Sequence, residues 1–262
     1  MSTISLRALE FRMNQPMKWL KGKISINEPV VFPEEKYQDK YFIGLKMFLR
    51  YKESLVLKKD SNYLSFLEIY KKIEHATMLD FDRAYIVFQA AQATSFLHGS
   101  SAECGVYKGG SSALIASVNP GKKHYALDTF EGFPDVISEI DVHKKGGFSD
   151  TSLPIVKELF AGYPNIVMMK GTFSRSFETI HQEIFSFVHV DADLYSSTLE
   201  CCEFFYEKVA QGGIMLFDDY LVPDTPGVKT AVDEFFFSKK EFPIILPTMQ
   251  AMVFRMQYST KG

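Results

Sequence analysis

From residue 100 onward the chain alternates short apolar runs with helix-patterned stretches, and that alternation most constrains its fold. "SAECGV", "HYALD", "NIVMMKG", "FSFVHVDAD" and "GGIMLFDDY" read as five strands. Between and after them, "SSALIASV", "TSLPIVKELFAGY", "FETIHQEI", "STLECCEFFYEKVA" and "GVKTAVDEFFFSK" carry apolar residues at helical spacing. Strands that alternate with helices need crossover connections, which predicts a mainly parallel sheet covered on both faces. "PIILPT" and "AMVFRMQ" close the chain as an antiparallel pair. The expectation is an α/β fold: a doubly wound, mainly parallel, seven-stranded sheet. Ligands of such a sheet sit at the carboxyl ends of its strands.

Residues 1 to 79 differ in texture. "YFIGLKMFLRYKES" and "NYLSFLEIYKKIEHA" are patterned as helices, and "NEPVVFPEEKY" is an irregular stretch marked by Pro29 and Pro33. We expect a helical N-terminal region over 1–79, followed by the sheet domain over 80–262. The helix "DFDRAYIVFQAAQATSFLHG" opens that domain, with Asp80 or Asp82 as cap and Gly99 as stop.

Composition excludes several classes. The net charge of −3 argues against nucleic acid as the main partner. The charge is uneven, +5 over residues 1 to 60 and −8 over the rest, which reads as a solvated helical face or as a segment meeting an anionic partner. Cys104, Cys201 and Cys202 form neither a disulfide framework nor a zinc set. No apolar run reaches the length of about 20 residues that crosses a bilayer. No membrane association and a cytoplasmic location are therefore expected.

The strand ends carry the chemistry. The first runs into "ECGVYKGGSS", where Glu103 precedes a turn containing Gly105, Tyr107, Gly109, Gly110 and Ser111. Glycine lets backbone approach a ligand closely. The spacing is not that of dinucleotide binders. A carboxylate at the lip of the loop would repel a pyrophosphate, whereas S-adenosylmethionine carries an ammonium and a sulfonium. The second strand ends at Asp128, close to 20 residues beyond the glycine turn, placed to accept ribose hydroxyls of either cofactor.

Two further strands end in acids: Asp191 and Asp193 after one, Asp218 and Asp219 after the other. As neighbours about 4.8 Å apart, these strands bring the carboxylates together. Crowded carboxylates raise each other's pKa, and a magnesium ion on Asp191, Asp218 and Asp219 resolves the conflict. Asp193, two residues beyond Asp191, reaches the same face if the chain stays extended. It is then a general base, a further ligand or a helix cap. His189 is a group behind the metal ligands or a satisfied core histidine. The loop 131–151 is a lid or disordered, with His143 near the acceptor or simply on the surface.

Together, "ECGVYKGGSS", "LDTFEGFP", "KGTFSRSFETI", "VHVDADLYSST", "GGIMLFDDY" and "GVKTAVDEFF" resemble the macrocin O-methyltransferase-like (TylF/MycF-type) sugar methyltransferases over about residues 80 to 256. The resemblance implies a class I, Rossmann-like methyltransferase that uses S-adenosylmethionine and a divalent cation. It implies that Glu103 and the glycine turn hold the methionine part, Asp128 and Thr129 the ribose, and Thr172 and Phe173 the adenine end. It assigns Asp191, Asp218 and Asp219 to magnesium and Asp193 to the base. The acceptor is then a hydroxyl on a sugar or glycoside, and the assembly a homo-oligomer such as a dimer. "KGTF" and "SRSFETI" depart from the family's usual text at the adenine side. An NAD(P)-dependent oxidoreductase and a catalytically silent cofactor-binding protein are the alternatives.

Overall fold

The computed structural model describes residues 59–133, 136 and 139–256. The expected helix over 41–54 and the irregular stretch around Pro29 and Pro33 lie outside the described residues.

Two helices precede the sheet. α1 spans Ser61–Ile73 and α2 spans Phe81–Ala93. Asp60 and Asp80 cap them by accepting from Tyr63 N and Arg83 N at 2.8 and 3.0 Å. α2 ends sooner than its pattern implied: the Thr94 hydroxyl donates to Ala90 O at 2.9 Å, and a turn carries the chain to Gly99 at φ 109°.

The sheet elements follow as β1 (Ser100–Cys104), α3 (Gly110–Val118), β2 (His124–Asp128), α4 (Leu153–Phe160), β3 (Ile166–Lys170), α5 (Phe173–Thr179), β4 (Phe185–Val190), α6 (Tyr195–Phe205), β5 (Val209–Phe217), α7 (Pro226–Phe236), β6 (Ile244–Ile245) and β7 (Ala251–Phe254). The seven strands lie in the order β3-β2-β1-β4-β5-β7-β6. All described pairings are parallel except those of β7 with β5 and with β6. The expected doubly wound, mainly parallel, seven-stranded sheet is what forms. The strand order reverses between β1 and β4, where a crevice opens for a ligand.

The sheet divides two apolar layers. Phe187, Ile214 and Leu216 pack with α1, α2 and α3 through Phe66, Val87 and Leu114. Val188, Val190, Met215 and Phe217 face the other way, toward Phe177, Cys201, Phe205 and Val232 of α5, α6 and α7. This is the two-residue alternation of a strand buried on both faces. It also settles where the polar residues point. Glu103 sits opposite His189, and His189 opposite Leu216, in the strand registers. All are on the α2–α3 face, and apolar packing at the base of that face gives way to acids at the carboxyl ends.

Candidate active site

The carboxyl ends of five adjacent strands wall one cavity of about 500 Å³. β1 contributes Gly105 and Tyr107, β2 Asp128 and Thr129, and the turn after β3 Thr172 and Phe173. β4 contributes Asp191 and Asp193, and β5 Asp218 and Asp219. Ser111, in the first turn of α3, lines it as well.

Gly105 is the pivot. It has φ 91°, and a Cβ there would stand 1.8 Å from Asp191 O. Only glycine lets the β1 turn pass so close beneath the end of β4. Beyond it, Asp128 organises the turn. Its Oδ2 accepts from Val106 N at 2.7 Å and Tyr107 N at 2.9 Å, and its Oδ1 accepts from Phe130 N at 2.6 Å. Asp128 therefore faces the cavity and also fixes the shape of the glycine turn, holding Tyr107 at φ 52°.

Three residues of the expected cofactor set lie elsewhere. A Cβ on Gly109 would stand 2.8 Å from the Phe160 ring, and one on Gly110 would stand 2.7 Å from Ala76 O. These glycines serve helix packing and do not border the cavity. Glu103 is not at the lip of the loop. It is fully buried, its Oε2 accepting from the Ser112 hydroxyl and its Oε1 from His189 Nδ1 at 2.8 Å. Both oxygens thus find hydrogen-bond partners in the core, as a buried polar group requires.

The acids converge as expected. Donor atoms of Asp191, Asp193 and Asp219 lie within 4.8 Å of one another, and so do those of His189, Asp191 and Asp218. Asp193 arrives by a different route than extension: it has φ 59°, so a left-handed turn after β4 swings its carboxylate back to the cluster. Burial and the Asp218, Asp219 and Asp193 charges push the Asp191 carboxyl well above the usual carboxylate range. Burial and Asp219 do the same to Asp193. Asp218 goes the other way: His189, Arg83 and Gln250 outweigh its burial and hold its pKa down. His189 is pushed up to about 9, because the Asp218 and Glu103 carboxylates beside it outweigh its burial.

Arg83 is the residue that sequence reasoning missed. From the first turn of α2 its guanidinium pairs with Asp218 and Asp219. Burial opposes its charge, but Asp218, Asp219 and Asp191 overcome that and raise its pKa. One signal was present. A cation in a first helical turn opposes the helix dipole, so it asks for a partner elsewhere. Four carboxylates crowd one spot, with Arg83 paired to two of them and His189 behind Asp218. This oxygen-rich donor set fits a hard divalent cation at Asp191, Asp218 and Asp219.

The described part of loop 131–151 folds onto the glycine turn. Tyr107 Oη and Lys108 Nζ reach Asp150 Oδ2 at 2.7 and 2.8 Å, and the Thr151 hydroxyl donates to Tyr107 O at 2.6 Å. Phe133, His143 and Phe148 pack tilted or edge-on against one another with ring centroids 5.2–5.9 Å apart and line the cavity. His143 is thus a wall residue.

Relatives carry the same frame. A relative named demethyldecarbamoylnovobiocin O-methyltransferase, from Streptomyces niveus, is 27% identical over 153 residues, 52% of this chain and 58% of its own. Mycinamicin III 3''-O-methyltransferase, from Micromonospora griseorubida, is 24% identical over 143 residues, 48% of this chain and 56% of its own. The chain thus spans between half and three fifths of these curated relatives. The structure of the O-methyltransferase NovP superposes with a TM-score of 0.63 at 24% identity, over 70% of this chain and 83% of that one. The calicheamicin methyltransferase CalS11 superposes with a TM-score of 0.55 at 19% identity, over 86% and 94%. Both share the fold. The sequence model of macrocin-O-methyltransferase (TylF) matches residues 82–250, which hold all five strand ends and the acid cluster, and the chain belongs to that family.

Proposed function

We propose that the protein is an S-adenosylmethionine-dependent O-methyltransferase that uses a divalent cation, with magnesium the expected ion. Its acceptor is a hydroxyl on a sugar or glycosylated natural product. The observation that carries the reading is a single cavity in which the Gly105–Tyr107 turn and Asp128 stand beside the acid cluster. Family membership and relatives named as O-methyltransferases of antibiotic molecules support it.

When bound, S-adenosylmethionine supplies an electrophilic methyl group and the cation supplies positive charge beside the acceptor oxygen. The chain's own residues do the rest. The turn at Gly105 and Tyr107 offers close backbone approach to the methionine part, and Asp128 and Thr129 face the ribose. Thr172 and Phe173 close the adenine end. Asp191, Asp218 and Asp219 would hold the cation, and Arg83 pairs with Asp218 and Asp219 behind it. Asp193 would take the acceptor hydroxyl's proton onto a carboxylate oxygen, as the methyl carbon passes from the sulfonium sulfur, which leaves as a neutral thioether, to the acceptor oxygen. Burial and the Asp219 charge raise its affinity for that proton. Phe133, His143 and Phe148 wall the cavity and exclude water. The same reading makes the region over 1–79 a shaper of the acceptor pocket and the assembly a homo-oligomer such as a dimer.

The test is methyl transfer from labelled S-adenosylmethionine to a panel of deoxysugar-bearing compounds, with magnesium or with a chelator. The product should carry the label on a sugar oxygen. Its formation should stop on chelation and fall at least about 100-fold in Asp193→Asn. Transfer undiminished by chelation would remove the cation from the mechanism, and label on nitrogen or carbon would remove the O-methyl assignment.

A further inference from the structure

A line of buried polar side chains crosses the core and stops at the acid cluster. Ser101 Oγ lies 3.0 Å from His124 Nδ1, and His124 Nε2 lies 3.1 Å from Ser112 Oγ. Ser112 donates to Glu103 Oε2, and Glu103 Oε1 accepts from His189 Nδ1 at 2.8 Å. His189 Nε2 then stands 3.5 Å from Asp218 Oδ1. Glu103, Ser112, His124 and His189 are 0% exposed and Asp218 is 1% exposed. Burying this many polar groups costs stability that apolar side chains of similar size would not, so stability alone is a poor account of the line.

We infer that Glu103 is a positioning residue for the cation-binding end of the site, acting through His189 on Asp218, and is not a contact for the cofactor. The inference rests on the proposal that Asp218 holds a divalent cation. Strand geometry supports it. Glu103 sits opposite His189 on neighbouring strands, and Asp218 follows two residues after Leu216, the partner of His189 on β5. The three side chains therefore form a row across β1, β4 and β5 on one face of the sheet. Glu103 does not border the cavity, and both of its oxygens are committed inside the core. With Nδ1 bound to Glu103, the imidazole ring is fixed in orientation. Its Nε2 has no hydrogen-bond partner among the described residues and stands 3.5 Å from Asp218 Oδ1, so that edge backs the Asp218 carboxylate as a close charge neighbour. Gln250 Nε2 donates to the same Oδ1 at 2.6 Å, and Arg83 holds Oδ2. The carboxylate is thus clamped in one rotamer before a cation arrives. Groups that hold a ligand side chain in this way contribute about 10- to 100-fold in metal affinity.

The experiment titrates the full chain with Mn²⁺ by electron paramagnetic resonance and, separately, with S-adenosylhomocysteine by calorimetry. Wild type is compared with Glu103→Gln and with Ser112→Ala, which keeps the carboxylate but frees its Oε2. We expect Glu103→Gln to weaken Mn²⁺ binding about 10-fold or more and to leave S-adenosylhomocysteine affinity within about two-fold. Ser112→Ala, the milder change, should weaken Mn²⁺ about three-fold by the same logic, and it decides the matter if Glu103→Gln does not fold. Combining Glu103→Gln with Asp218→Asn should cost no more Mn²⁺ affinity than Asp218→Asn alone. Loss of S-adenosylhomocysteine binding with Mn²⁺ affinity intact would return Glu103 to the cofactor site and overturn the inference. Unchanged Mn²⁺ affinity in both single variants would overturn it as well. Wild-type protein that binds no Mn²⁺ would remove the cation reading and this inference together.

Discussion

Arg83 shows what a single residue decides in this site. Its guanidinium neutralises Asp218 and Asp219 from a helix that is distant in sequence and adjacent in space. Removing it takes away the guanidinium paired with these crowded buried carboxylates, which lowers stability until a cation replaces its charge. In Arg83→Ala the melting temperature without metal should fall by several degrees, roughly the effect of 1–2 kcal/mol in a chain of this size. Added magnesium should then raise it by more than it raises wild type. Calorimetric melting with and without magnesium reads both, and an equal magnesium effect in the two proteins would contradict the role. Asp191, Asp193, Asp218 and Asp219 were legible in the sequence because each follows an apolar run that only a buried strand explains. Arg83 was not, because its partner lies beyond any local pattern. Glu103 was legible as unusual but was placed wrongly. The strand alternation that turns it into the core depends on where β1 ends, and that boundary comes from pairing with β2 and β4.

At the scale of elements, the pattern from residue 100 on was enough to name the strands and most helices, because apolar runs bounded by glycine and polar turns leave few alternatives. The boundaries moved where tertiary contacts intervene. β5 begins at Val209, inside text patterned as helix, because Val209 pairs with Phe185 at the foot of β4. α1 was legible only as an amphipathic helix; its role comes from packing. Phe66 is fully buried and meets Phe81, Tyr85 and Phe88 of α2 with ring centroids 4.9–5.5 Å apart. Phe66→Ala should cost about 3–5 kcal/mol in urea denaturation. A loss under about 1 kcal/mol would mean that α1 is not part of the core.

At the scale of the whole molecule, the two-layered sheet sets how stability responds to acid. His124 lies at the centre of the α2–α3 layer, and burial, aided by the His189 charge, drives its pKa from 6.5 down to about 3. Between those values the unfolded chain takes up a proton at this site that the folded chain refuses. The stability due to neutral His124 is therefore complete above about pH 6.5 and is lost as the pH falls toward about 3. His124→Gln should flatten the acid limb of a melting-temperature profile over that window, relative to wild type; parallel profiles would show that His124 is not what titrates. The sheet also sets where cofactor and cation meet, since both depend on the β1–β4 switch point. The most direct measurement is calorimetric titration of the full chain with S-adenosylhomocysteine, with NAD as control, on wild type, Asp128→Ala and Asp218→Asn. The account predicts micromolar binding of S-adenosylhomocysteine to wild type and none of NAD. It also predicts that this binding is lost in Asp128→Ala and retained in Asp218→Asn. NAD binding in place of S-adenosylhomocysteine would contradict it at its centre.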